Sequence, residues 1–163
     1  VLIGYPSEEE EFVIVERVTG AAAVVSAVAS TEDLGALQRA CRTGYVDPSL
    51  VQYAVRIVNA TRDPARFGAK DIAKYLTFGA SPRASIHLIE AARALAFLRR
   101  RPYVLPEDVT DLVADVLRHR LVLTYEAFAE GRTADDLIER VMTQIPAPEK
   151  ALATHVRYSA AGS

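Results

Sequence analysis

The sequence predicts an all-α fold, a helical bundle joined by very short extended segments. Three observations carry this expectation. Apolar residues recur at three- and four-residue spacing in about six stretches. Those stretches open on capping residues or on a proline placed at a helix start. The pieces between them that look extended are only a few residues long. With 163 residues, half of them apolar and few Gly or Pro, the chain is the size of one domain and can bury a core.

Taken in order, "VLIGYP" resembles the end of a buried strand running into a hinge. Ser7 with Glu10 three residues on forms a capping box, and Glu8–Glu11 suit the helix dipole. Val13, Ile14 and Val18 give that helix an apolar side, and Gly20 is its expected stop. Residues 21–29, small and β-branched, read as an extended connector. Thr31 before Glu32 and Asp33 opens a second helix with Leu34, Leu37, Ala40 and Cys41 at helical spacing. Two later junctions share a pattern: basic residue, Tyr-Val, one residue, Pro, then a helix. Tyr45-Val46 precedes Pro48, and Tyr103-Val104 precedes Pro106. The two Tyr-Val pairs are expected to be short extended pieces lying near each other. Asp47 caps the first of the helices that follow, which carries Leu50, Tyr53, Ala54, Ile57 and Val58. The second carries Val109, Leu112, Val113, Val116 and Leu117.

Between these junctions, residues 59–82 are polar, broken by Gly and Pro, and basic in the middle. They read as an irregular segment of the kind that often carries function. A long helix then starts after Ser81, with Leu88, Ala91, Ala92, Leu95 and Leu98 as its core stripe. A β-branched stretch, a break at Gly131 and a last helix from Thr133, with Leu137, Ile138, Val141 and Met142, complete the set. The reading divides the chain into 1–6 as the end of a preceding core and hinge, 7–146 as the helical domain, and 147–163 as a tail.

Composition excludes several classes. Nineteen basic and 21 acidic residues give a formal charge of −2, so there is no global attraction to nucleic acid or to an anionic membrane. The longest nearly apolar run, "GAAAVVSAVA", is about half the ~20 residues a membrane span needs. One cysteine, Cys41, cannot form an internal disulfide, which suits a reducing cytoplasm. No phosphate loop, dinucleotide fingerprint or H-E-x-x-H zinc motif occurs. His87, His119 and His155 have no cysteine or carboxylate at metal spacing, so no metal site is expected. The absence of an initiator Met and the abrupt start lead us to expect a piece of a larger protein.

One stretch stands apart. In "FGASPRASIHLIEAARALAFLRRR", Gly79 permits a turn, Ser81 is a good N-cap, Pro82 fits the first helical position, and Arg83 follows. A helix start already carries positive partial charge, so a guanidinium there is unfavourable unless an anion joins it. Free N–H groups, the dipole and a forked cation together make a phosphate site. The alternative is that Arg83 pairs with Glu90 or another surface carboxylate, worth little. Residue chemistry alone leaves both open.

The motifs "GYPSEEEE", "NATRDP", "FGASPRAS", "AARALAFLRRRPYVLPEDV" and "VLRHRLVLTYEA" together resemble the C-terminal part of MoxR-type AAA+ ATPases, over nearly all of residues 2–146. In that family a nucleotide-binding core is followed by a helical lid. The resemblance implies that Arg83 is the sensor-2 arginine, reaching ATP phosphates on the core, with Ser81 and Pro82 beside it in the cofactor site. It places Tyr5 and Pro6 near the adenine ring. It also implies ATP with Mg as cofactor in the full-length parent, the same polypeptide's ATPase core and neighbouring ring subunits as partners, and chaperone-like work on proteins with von Willebrand factor A domains. The Walker A lysine, Walker B carboxylates, first sensor and arginine finger belong to the core and are not in this sequence, so this chain alone is expected to be inactive.

Two other classes of function stay in view. "RRR" at 99–101 reads first as a dipole-complementing helix end. With Arg62, Arg66, Lys70, Lys74, Arg118 and Arg120 it suggests a nucleic-acid-binding module, but aromatic residues are only 7% of the chain and do not alternate with the cations. A stand-alone adaptor holding partners on helix faces is the third reading.

Overall fold

The structure, a computed structural model, describes residues 4–21 and 24–149. It is built of helices, as expected, with one minimal sheet. The chain divides into two compact units, residues 1–37 and 38–163. The expected strand end at Val1–Ile3 lies outside the described residues. So does the tail from 150 onward, while 147–149 have no regular structure.

In the first unit, α1 (Glu8–Thr19) starts on the expected capping box: Ser7 accepts from the Glu10 N–H, and Glu10 accepts from the Ser7 N–H at 2.9 Å. Gly20 ends it, and an irregular connector follows. Phe12, Val13, Ile14 and Val18 are all exposed. The second helix, α2 (Thr31–Arg42), runs from the first unit into the second at Gln38 and is capped one residue earlier than the sequence suggests. The Ser30 hydroxyl accepts from Asp33 N–H, and the Asp33 carboxylate accepts from Ser30 N–H. A Ser/Asp pair three apart forms the reciprocal cap, and that places Thr31 inside the helix.

The second unit holds the core. Asp47 caps α3 (Pro48–Arg62), accepting from Ser49 N–H at 2.8 Å. The five predicted apolar residues of α3 are buried, and Thr61 joins them. The long helix α4 (Pro82–Leu98) packs on α3. Its buried line is Ala84, Leu88, Ala92 and Ala96, a strict four-residue repeat. This corrects the expected stripe: Leu98 is 76% exposed, and Ala91 and Leu95 are half-buried. Three alanines on that line keep α4 close to its neighbour, because interaxial distance follows side-chain size at the contact.

The single helix expected after Pro106 is two, α5 (Pro106–Thr110) and α6 (Val113–Leu117). The ladder tightens where Leu112 N–H bonds Val109 O, three residues back, which lets Val109 and Val113 both reach the core. Another helix not foreseen, α7 (Tyr125–Ala129), is capped by Thr124. The last helix, α8 (Ala134–Met142), starts at Thr133 as predicted and buries Leu137, Ile138 and Val141.

The joints confirm one expectation closely. Tyr45 and Tyr103 form a parallel bridge, with Tyr45 N–H on Pro102 O and Val104 N–H on Tyr45 O, each 2.9 Å. Residues 63–78 are better ordered than the composition suggests. They form two 3-10 turns, Ala65–Phe67 and Lys70–Tyr75, then β1 (Leu76–Phe78), which pairs antiparallel with β2 (Val122–Leu123). Ala69, Ile72 and Tyr75 enter the core and pin this segment.

The arginine run has a structural task beyond complementing a dipole. Arg99 and Arg101 both grip Asp108, which is fully buried and also accepts Leu105 N–H at 2.8 Å. Burial pushes the Asp108 carboxyl up. The hydrogen bonds from Arg101 and Leu105 and the two cations outweigh it and hold the group below the usual carboxylate range.

Candidate functional site

The turn that delivers Arg83 is built from the end of α3. The Thr61 hydroxyl donates to Val58 O at 2.7 Å and accepts Ala80 N–H at 2.9 Å. The Arg62 Nε donates to Ala80 O at 2.6 Å, and its Nη1 to Asn59 Oδ1 at 3.3 Å. Both polar groups of buried Ala80 are thus satisfied by consecutive residues of another helix. Gly79 lies against the same turn so tightly that a Cβ would stand 2.3 Å from Thr61 O and 2.5 Å from Thr61 C. Its backbone φ is not positive. Gly79 is therefore needed for close approach and not for a left-handed turn, which corrects the expectation.

Ser81 has the extended backbone of an N-cap, but its hydroxyl makes no capping bond. Its carbonyl accepts Ala84 N–H at 2.9 Å. Pro82 has no N–H to satisfy. Among the described residues the N–H of Arg83 has no acceptor, and the hydroxyl of Ser81 is unused. The side chain of Arg83 is exposed and makes no ion pair or hydrogen bond among the described residues, so pairing with Glu90 does not occur. One turn on, His87 Nδ1 meets Arg120 Nη2 at 2.8 Å, while Arg120 Nε donates to Val116 O. This end of α4 offers a fixed backbone donor, a hydroxyl and an uncommitted guanidinium, the donor set that suits a phosphate.

Tyr5 and Pro6 belong to the first unit. Tyr5 is fully exposed, and both border an open apolar groove completed by Gly4, Val13 and Ile14 with Glu9 and Glu10 at its rim. Sequence reasoning missed Thr61 and Arg62 as positioning residues. The signal was the "NATRDP" motif itself, since a Thr-Arg pair at a helix end can satisfy a neighbouring backbone.

The cations that would have formed a nucleic-acid face are mostly committed within the fold. Lys74 bridges Glu126 and Glu130 at 2.9 Å each, Arg118 grips Asp115 and Asp135, and Arg99 and Arg101 hold Asp108. Among the described residues no cluster of His, Cys, Asp or Glu could hold a metal ion, and no helix is long and apolar enough to cross a membrane.

Residues 68–141 match the AAA lid domain family. The chain is 45% identical over 147 residues to the chaperone MoxR1 of Mycobacterium tuberculosis, spanning 90% of this chain and 39% of that protein. The protein MoxR of Paracoccus denitrificans is 37% identical over 110 residues, 64% of this chain and 32% of that one. A crystal structure of an ATPase candidate from Cytophaga hutchinsonii superposes with a TM-score of 0.79 at 34% identity, covering 90% of this chain and 45% of that chain. The fold and these matches together define a helical lid of the AAA+ class. The chain belongs to the MoxR-type AAA+ ATPases, as their lid domain. It spans less than half the length of these relatives.

Proposed function

We propose that this chain is the nucleotide-sensing lid of an ATP-hydrolysing, chaperone-like protein, with Arg83 as its sensor-2 arginine. Residues 7–146 act as the lid and residues 1–6 as the link to a nucleotide-binding core. The observation that carries the reading is a guanidinium with no partner among the described residues, beside an unbonded N–H, on a helix start clamped by Thr61 and Arg62. Arg83 and the Ser81 hydroxyl hold phosphate oxygens in this reading, Pro82 fixes the helix start, and Tyr5 and Pro6 lie against the adenine. ATP supplies a triphosphate whose charge changes on hydrolysis, and its Mg is held by the core.

A charge-assisted contact from Arg83 is worth about 1.5–3 kcal/mol. Gaining or losing it moves the closed-to-open ratio of a lid by about one to two orders of magnitude. That is enough for the lid to pass the state of the nucleotide to neighbouring subunits of a cytoplasmic ring, and from there to client proteins such as those with von Willebrand factor A domains. The test is Arg83→Ala in the full-length protein. Turnover should fall by about 10- to 100-fold, the rate equivalent of that contact. The melting temperature of the lid should not move, because the side chain is exposed and makes no hydrogen bond or ion pair among the described residues. Normal hydrolysis would remove the sensor assignment.

A further inference from the structure

Arg93 lies in the middle of α4, far along the helix from Arg83. Its Nε is shielded from solvent and has no hydrogen-bond partner. Buried polar groups are nearly always satisfied, so an orphan at this place asks for an acceptor. Two concavities meet at Arg93. One, of about 660 Å³, is bordered by Gln38, Cys41, Arg42 and Glu90. The other, of about 600 Å³, is bordered by Cys41, Phe97, Leu98, Arg100 and Pro102.

Arg42, Arg93 and Arg100 make no ion pair among the described residues, whereas Arg99, Arg101, Arg118 and Arg140 all do. Arg100 is also the one non-glycine residue among those described with a positive φ, 59°. Backbone in that region is unfavourable for a side-chain-bearing residue and tends to persist where the side chain has a use. Leu98, 76% exposed, adds a large apolar side chain to the same rim.

We infer that this surface docks a protein segment in which carboxylates flank a large apolar side chain. Guanidinium forks match carboxylates in two-point contacts. Arginine around an apolar centre is the composition of protein interfaces, with charged carboxylate and lysine side chains depleted there. Nucleic acid fits less well: the phosphate backbone needs a continuous cationic track, and here Glu90 interrupts three arginines set around apolar residues. The acidic side chains pair with the exposed guanidiniums of Arg42 and Arg100 and with Arg93, which turns its shielded Nε toward the incoming carboxylate, and the apolar one lies against Phe97, Leu98 and Pro102. This surface is independent of the Arg83 reading.

The test uses this chain and fluorescence anisotropy of a labelled Glu-Glu-Phe-Glu-Glu peptide, at low salt. The peptide should bind, and Gln-Gln-Phe-Gln-Gln should bind at least about tenfold more weakly, the value of a charge-assisted contact. Arg93→Gln and Arg100→Gly should each weaken binding by a similar factor, and Arg66→Gln, an exposed control, should not. Arg100→Gly relieves the backbone and so keeps the fold even if Arg93→Gln does not. Equal binding of both peptides, tighter binding of a labelled 12-nucleotide single strand, or unchanged binding by the two site variants would each overturn the proposal.

Discussion

A methyl group at Gly79 would lie 2.7 Å from Arg62 N as well as on the Thr61 carbonyl, and both are backbone atoms that cannot swing aside. Overpacking of this kind costs about 1–3 kcal/mol. Gly79→Ala should therefore lower the melting temperature by about 2–12 °C for a chain of this size. It should also pull the 79–83 turn off α3 and, under the proposed function, lower turnover in the full-length protein more than the loss of stability explains. A calorimetric melt alongside a turnover assay checks both. Asp108 sets a second residue-scale expectation. Its folded-state carboxyl sits below its unfolded value of about 4. It contributes stability above that value, and the contribution is lost as pH falls through the lower folded value. Acid unfolding followed by circular dichroism should become less steep below pH 4 in Asp108→Asn. Asp108→Ala takes from Arg101 its ion-pair partner, while Arg99 keeps Asp111, and should cost about 1–3 kcal/mol at neutral pH.

Two helix ends can be compared within the chain. After α7, Gly131 takes φ 67° while Arg132 N–H reaches back to Ala127 O at 2.8 Å. After α4, Arg100 takes φ 59° while Arg101 N–H reaches Ala96 O at 2.9 Å. These are the same C-terminal motif, with glycine in one and arginine in the other. No atom lies within 4 Å of a Cβ built on Gly131, so Gly131→Ala should cost only the backbone term, about 1 kcal/mol. Arg100→Gly should gain up to about 1 kcal/mol, offset in part by the greater freedom of glycine in the unfolded chain. Urea titration of both variants tests the pair. Local chemistry made most elements legible in the sequence: Ser7 with Glu10, Asp47 with Pro48, and Thr133 each mark a helix start that the structure shows. It misplaced the cap of α2 by one residue and missed the break at Leu112, because a short turn of 3-10 bonds leaves no mark in apolar spacing.

At the scale of the molecule, the proposed function gives this chain one side of a nucleotide site. This chain alone should bind ATP no better than millimolar by calorimetry; micromolar affinity would contradict the division of labour proposed above. The chemistry of the candidate site was readable in residue types, since Gly-Ala-Ser-Pro-Arg orders a turn, a helix start and a cation by local rules. Whether Arg83 was free was not readable, because a surface arginine finds or lacks a carboxylate according to what other elements bring near it. The same holds for the other cations. Sequence alone could not tell that Lys74 meets Glu126, or that Arg99 and Arg101 close on Asp108, while Arg42, Arg93 and Arg100 make no ion pair among the described residues. Composition, capping and periodicity thus determined the helical class, and the resemblance of particular motifs pointed to the family. Tertiary packing alone decided why Gly79 must be glycine, how Thr61 and Arg62 hold the turn, and which charges remain available. Caps and periodicity act over a few residues, whereas a charge is neutralised across whatever distance in sequence the fold has closed.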